Sequence, residues 1–172
     1  MSEFELKNFV PNVKFTFREL GEFVTKETVE MFGGKRVVLF SLPGAFTPTC
    51  STKQLPGYEE QYSKFLENGV DEIYCLSVND SFVMNAWFQS QGVENVKALP
   101  DGTGEFTRLM GALVDKSNIG FGMRSWRYAM VINDMVVEKS FIEPNQRDNA
   151  NDDSYVVSDP DTVFNYIEGT KS

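Results

Sequence analysis

VVLFSLPGAFTPTC, residues 37–50, runs from a continuous apolar segment, Val37-Val38-Leu39-Phe40, through Pro43 and Pro48 to a cysteine. An apolar run of that length reads as a buried central strand. Beyond it Thr47 is placed to act as a helix N-cap and Pro48 to occupy the first helical position, where a missing N–H costs nothing. Cys50 then falls in the first turn of a helix. Backbone N–H groups without intrahelical partners and the positive end of the helix dipole both face that turn, and both favour a sulfur anion over a neutral thiol. The segment therefore reads as belonging to a thiol enzyme.

Working outward, Leu55-Pro56-Gly57 interrupts the pattern, and a second periodic stretch through Tyr58, Tyr62, Phe65 and Leu66 ends at Gly69. This predicts one long helix with a break near Pro56. Upstream, residues 10–20 carry a strand around Val13 to Phe17. Downstream, Ile73 to Val78 reads as a strand, followed by Ser81 as N-cap of a helix through Met84, Trp87 and Phe88 that stops at Gly92. Val96 to Leu99 is a short strand, Phe106, Leu109 and Met110 mark a helix, and Gly120-Phe121-Gly122 a loop. Tyr128 to Ile132 and Val136 to Phe141 are strands joined at Asn133-Asp134, a hairpin signal. The polar run Asn145 to Ser154 reads as a surface loop, and Asp159-Pro160 opens a last helix carrying Val163, Phe164 and Ile167. The order β-α-β-α-β-α-β-β-α predicts an α/β fold, a mixed central β-sheet flanked by helices on both faces.

With 172 residues, 41% of them hydrophobic, and no linker-like tract, the sequence is expected to form one domain over residues 1–172 with a substantial core. No uncharged apolar stretch approaches the roughly 20 residues of a membrane span, and the opening MSEFELKNF is charged rather than signal-like, so a cytoplasmic protein is expected. A net charge of -9 argues against binding to nucleic acid or an anionic membrane, since polyanions are held by basic patches. The absence of histidine excludes His-based acid/base catalysis, a Cys-His pair and a zinc-type metal site. The two cysteines, Cys50 and Cys75, fit a reduced protein rather than a disulfide scaffold.

The element order, with a reactive cysteine after the first core strand, resembles a thioredoxin-like fold, although Thr47 stands where a C-x-x-C motif would have its first cysteine. Pro43, Thr47 and Cys50 fit P-x-x-x-T-x-x-C, the pattern of peroxiredoxins, and PGAFTPTCS followed by LPG at 55–57 resembles the type-5 branch. GVDEIYCLSVND, FVMNAW, DGTGEFTRLMG and MRSWRYAMVIND, at 69–80, 82–87, 101–111 and 123–134, extend the resemblance along nearly the whole chain. It implies a thioredoxin-fold peroxidase that reduces hydrogen peroxide and alkyl hydroperoxides through a cysteine sulfenic acid, forms a homodimer and binds no cofactor.

The motif also makes chemical sense. A thiolate attacks one peroxide oxygen in line while charge develops on the other, so donors must be placed there in advance. Pro43 is expected to cover the sulfur and Thr47 to offer its hydroxyl to the peroxide. The N–H groups of Thr49 and Cys50 are expected to point at the anion, and Gly44 and Thr49 are assigned to substrate binding. Arg127, matched by the family's arginine, would supply a fixed positive charge. Arg124 is expected to face the opposite side of its strand and to pair with an acid or with solvent. Phe82, Trp87, Phe121 and Trp126 are expected mostly in the core.

Two departures bear on mechanism. Many type-5 members carry histidine where this chain has Gln54, whose amide can donate a hydrogen bond but has no proton to titrate. The segment 141–158, where some members place a resolving cysteine, has none. An outside thiol must then reduce the Cys50 sulfenate, and the resemblance to relatives with this arrangement implies a one-cysteine cycle that uses glutathione or glutaredoxin. Cys75 is read as a small buried hydrophobe, with an internal Cys50–Cys75 disulfide reduced by thioredoxin as the alternative. A peroxide sensor or chaperone-like binding protein is the alternative of another class.

Overall fold

The structure is a computed structural model and describes residues 8–171, so most of the charged opening stretch lies outside the described residues. The first elements are strand β1 (Lys14–Glu19), strand β2 (Glu22–Glu27) and helix α1 (Thr28–Phe32). The β1–β2 hairpin turns at Leu20 and Gly21, with φ of +51° and +78°. Positive φ at both turn residues matches the twist of the strands it joins. Leucine is an unusual residue there, and for that reason the sequence contains no turn signal and β2 goes unpredicted.

Strand β3 (Arg36–Ser41) is the central strand, and Val37, Val38, Leu39 and Phe40 are all fully buried. The long helix that follows opens at Pro48 and widens into a π turn over Cys50–Gln54, in which the Leu55 N–H reaches the Cys50 carbonyl. It continues as α2 (Leu55–Glu60) and, after a break at Gln61, as α3 (Tyr62–Leu66). The break expected near Pro56 is thus displaced. Pro56 has no N–H to offer the i→i−4 ladder, and the π turn just before it absorbs that mismatch, leaving the interruption to Gln61.

Strand β4 (Glu72–Ser77) leads to α4 (Ser81–Gln91), then β5 (Lys97–Pro100) and α5 (Glu105–Leu109). Asp80, not Ser81, caps α4 by accepting from the Val83 N–H, while the Ser81 hydroxyl accepts from the Arg18 N–H. The short strands β6 (Leu113–Asp115) and β7 (Met123–Ser125) form a ribbon around the glycine loop that the sequence reading left without strands. Strands β8 (Tyr128–Asn133) and β9 (Val136–Ile142) pair as expected, but their turn is Asp134-Met135, with φ of +48° and +70°, one residue later than predicted. Helix α6 (Pro160–Gly169) is capped by Asp159 as read.

The sheet has the order β5-β4-β3-β8-β9, with β5, β4 and β3 parallel and β8 and β9 antiparallel additions. Alternate residues of β3 feed two cores. Val38 and Phe40 face Tyr58, Phe65, Trp87, Phe164 and Ile167, from α2, α3, α4 and α6. Val37 and Leu39 face Phe15, Phe32, Phe106 and Met110, from β1, α1 and α5. Phe40 and Tyr58 stack at 4.1 Å between ring centroids, and each fully buried side chain of this size stabilises the fold by about 1.5–3 kcal/mol. The thioredoxin-like arrangement holds, with the β1–β2 hairpin sharing the second face with helices. Of the four aromatics expected in the core, Trp87 and Trp126 are buried, whereas Phe82 is exposed and Phe121 half-buried.

Candidate active site

The thiol site is built where β3 ends. Leu42 donates its N–H to the Leu76 carbonyl at 3.2 Å, and Ala45 donates to the Asn79 side chain at 3.0 Å, which fixes the loop leading into the helix. Pro43 and Gly44 are both buried in that loop. A Cβ on Gly44 would lie 2.5 Å from Arg124 Nη1, so only glycine lets the arginine close on the loop. Thr47 stands at the N-cap, its carbonyl accepting from the Ser51 N–H at 3.0 Å. Its side chain does not cap: the hydroxyl donates to the Gly44 carbonyl at 2.7 Å. With its proton committed, Thr47 Oγ1 is left as an acceptor for an incoming O–H.

Cys50 follows in the first turn, a free thiol enclosed by the protein. The Thr49 and Cys50 N–H groups precede the first i→i−4 bond, Ser51 to Thr47, and so lack intrahelical partners. Arg127 Nη1 approaches Cys50 Sγ at 3.4 Å. The same nitrogen donates to Gln54 Oε1, and Nη2 pairs with Asp153 at 2.6 Å. Burial by itself lowers the Arg127 pKa, but the Cys50 sulfur and the Asp153 carboxylate more than offset this and hold the guanidinium above its ordinary value. The result is a buried, permanently charged donor aimed at sulfur.

Gln54 lies four residues after Cys50 and is buried beside it. It acts as an acceptor toward Arg127 rather than the expected donor, and its Nε2 has no hydrogen-bond partner among the described residues. Arg124 is also a correction. It pairs with no acid among the described residues and bonds instead to the Phe121 and Pro43 carbonyls at 3.1 and 3.2 Å. The alternation that would place it opposite Arg127 fails because Trp126 and Arg127 fall between β7 and β8, so the two arginines are not on one strand. Both sit close enough to Cys50 for its charge to raise their pKa values, although burial leaves Arg124 lowered overall.

The polar run 145–154 is a loop, as read, but it folds back onto the site. The Glu143 carboxylate is buried and accepts from the N–H groups of Val156, Val157 and Ser158 at 2.9, 3.0 and 2.9 Å and from the Ser158 hydroxyl at 2.7 Å. This anchors the segment that brings Asp153 to Arg127 and the Tyr155 ring to 5.8 Å from the guanidinium carbon. Sequence reading missed Asp153, Glu143 and the site-facing role of Arg124, since a run of Asp and Asn carries no spacing signal. A cavity of about 130 Å³ opens alongside, lined among others by Pro43, Thr47, Lys116, Phe121 and Asp153.

Cys75 lies in β4 opposite Phe40, enclosed, in the same core cluster as Cys50. Burial pushes its thiol pKa well up, and the charge of Cys50 adds to that while Arg127 opposes it. No cluster of three or more metal-ligating side chains occurs among the described residues, and no helix among them is long and apolar enough to cross a membrane.

The family model described as Redoxin matches residues 7–156. A peroxiredoxin of Synechocystis is 54% identical over 172 residues, covering 95% of this chain and 91% of its own. The hybrid peroxiredoxin of Haemophilus influenzae is 51% identical, covering 97% of this chain and 67% of its own. The crystal structure of the Plasmodium falciparum antioxidant protein, a 1-Cys peroxiredoxin, superposes with a TM-score of 0.90 at 39% identity, covering 95% of this chain and 100% of its own.

Proposed function

The chain belongs to the peroxiredoxin family of thiol peroxidases, and from that premise we propose that Cys50 is its peroxide-reducing nucleophile, recycled by glutathione or glutaredoxin in a one-cysteine mechanism. The observation that carries the assignment is Arg127 Nη1 at 3.4 Å from an enclosed Cys50 Sγ in a helix first turn. The Cys50 thiolate attacks one oxygen of ROOH, the S–O bond forms as O–O breaks, and the departing RO⁻ takes up a proton. Arg127 and the Thr49 and Cys50 N–H groups stabilise the charge developing there. Thr47 accepts the peroxide O–H, Gly44 and Thr49 border the substrate, and Pro43 keeps water from the sulfur.

The sulfenic acid is then attacked by a glutathione thiolate. An S–S bond forms, hydroxide leaves and is protonated to water, and a second thiol releases the Cys50 thiolate. Support for the external reductant comes from Cys75, whose raised pKa leaves it a neutral thiol with little nucleophilicity. The name of the Plasmodium neighbour, a 1-Cys peroxiredoxin, points the same way. We further read the whole chain as a single cytoplasmic domain acting as a homodimer. The exposed Phe46, in the loop between Pro43 and Cys50, supports an interface beside the site.

Intact mass after one equivalent of peroxide tests the cycle: a gain of one oxygen, or of glutathione when supplied, is expected. Loss of two hydrogens would instead signal an internal Cys50–Cys75 disulfide. Turnover with thioredoxin alone, and none with glutathione or glutaredoxin, would overturn the assigned reductant. A slow stopped-flow reaction with peroxide would favour a sensor over a peroxidase.

A further inference from the structure

Lys116 opens the short helical turn Ser117–Ile119 and is 5% exposed. A cation so enclosed is normally paired, because burying an uncompensated ammonium is costly. Here no carboxylate among the described residues lies within salt-bridge distance of it; Asp152 and Asp153 line the same spaces but are held by Arg147 at 2.5 Å and by Arg127 at 2.6 Å. It stands over the Trp126 ring, with the nitrogen 5.8 Å from the centroid, at the outer limit of a cation–π contact. Lys116 lines the 130 Å³ cavity together with Pro43 and Thr47, and also the smaller cleft that Pro43 shares with Arg127. The free positive charge therefore faces the open space next to the loop that leads into the Cys50 turn.

We propose that Lys116 anchors a carboxylate of the thiol that reduces the Cys50 sulfenate, and that glutathione is the fitting ligand. This rests on glutathione being the reductant. Glutathione carries a carboxylate at each end of a thiol-bearing centre, so one end can bind Lys116 while the sulfur reaches the sulfenate. The cavity is large enough for a carboxylate and a few carbons, and Pro48, Ile119 and Phe121 give those carbons an apolar wall. In the step it supports, S–S forms and S–O breaks, the Cys50 sulfur is reduced and the glutathione sulfur oxidised, and the hydroxide leaves as water. Arg127 does not line that cavity and already bonds Cys50, Gln54 and Asp153, so the anchor falls to Lys116.

The test forms the sulfenate with one equivalent of hydrogen peroxide and follows its reduction by quenched-flow mass analysis. Four thiols are compared: glutathione, its dimethyl ester, 3-mercaptopropionate and 2-mercaptoethanol. The rate constant of Lys116→Gln for glutathione should fall about tenfold relative to its rate constant for 2-mercaptoethanol, the effect of losing one charge-assisted contact. The ester should already be slow with wild type, and Lys116→Arg should retain most of the carboxylate preference. An unchanged glutathione-to-mercaptoethanol ratio in Lys116→Gln overturns the anchor. If wild type is not reduced by glutathione at all, the reductant assignment fails. The 3-mercaptopropionate-to-mercaptoethanol ratio still decides Lys116: a carboxylate preference lost in the Gln variant supports the anchor, and no such preference refutes it.

Discussion

Cys50 and Cys75 are both fully enclosed and belong to one core cluster, yet their surroundings are opposite in kind. Around Cys50 stand a guanidinium at 3.4 Å, an amide and the unpaired N–H groups of a helix start. Around Cys75 stand the side chains of a sheet interior, and burial there drives the thiol toward its neutral form. Exclusion of water is common to both. Without a fixed charge it disfavours a sulfur anion, and with one it strengthens the attraction because nothing screens it.

The contrast can be broken most completely by Cys50→Ser, which should reduce peroxide turnover to the rate without enzyme, while Cys75→Ser should keep near-full turnover with glutathione or glutaredoxin. Comparable losses in the two variants would erase the distinction. Replacing the charge alone is the next largest step. Arg127→Met should lower kcat/KM for hydrogen peroxide by about 10²–10³-fold in stopped-flow assays, the usual cost of one donor at a developing anion. Thr47→Val, which removes the acceptor for the peroxide and the bond to the Gly44 carbonyl but no charge, should cost less, about tenfold on the same measurement.

On the Cys75 side the effects are on stability. Cys75→Ser places a hydroxyl among hydrocarbon and should destabilise the fold by about 1–3 kcal/mol in urea titrations. The smallest expected effect is a pH dependence. Burial raises the pKa values of Cys75, Tyr58 and Tyr128, whereas in the unfolded chain these groups ionise near their ordinary 9.0 and 10.0. The unfolded state then releases protons first. Stability should be undiminished below about pH 9 and should fall as pH rises through 9 to 10 and beyond. A urea midpoint that climbs between pH 8 and 10 would contradict this, and Cys75→Ala should remove the earliest part of the fall.

How far the sequence could be read follows the range of each interaction. The strand at 37–40, the helix start at Pro48 and the position of Cys50 depend on neighbours a few residues away, and all were legible. The partners of Arg127 are 77, 73 and 26 residues distant, and only Cys50 among them was anticipated, through a motif rather than through spacing. Arg124 was misassigned because strand alternation was extended across Trp126-Arg127, where no strand runs. Strand β2 was missed because a leucine occupies a turn position that usually announces itself with glycine or asparagine.

The widened turn at Cys50–Gln54 makes residue count part of the chemistry. Each residue of an ordinary helix advances about 100° around the axis, so deleting any one of Ser51, Thr52 or Lys53 would tidy the helix while swinging the sulfur by roughly that angle relative to Tyr58 and the core beneath it. The exposed side chains of Thr52 and Lys53 can be exchanged with modest effect, and Ser51 is held by the Trp87 indole N–H at 2.9 Å. The number of residues there cannot change, and a shortened variant should fold yet leave the guanidinium pointing at an empty place.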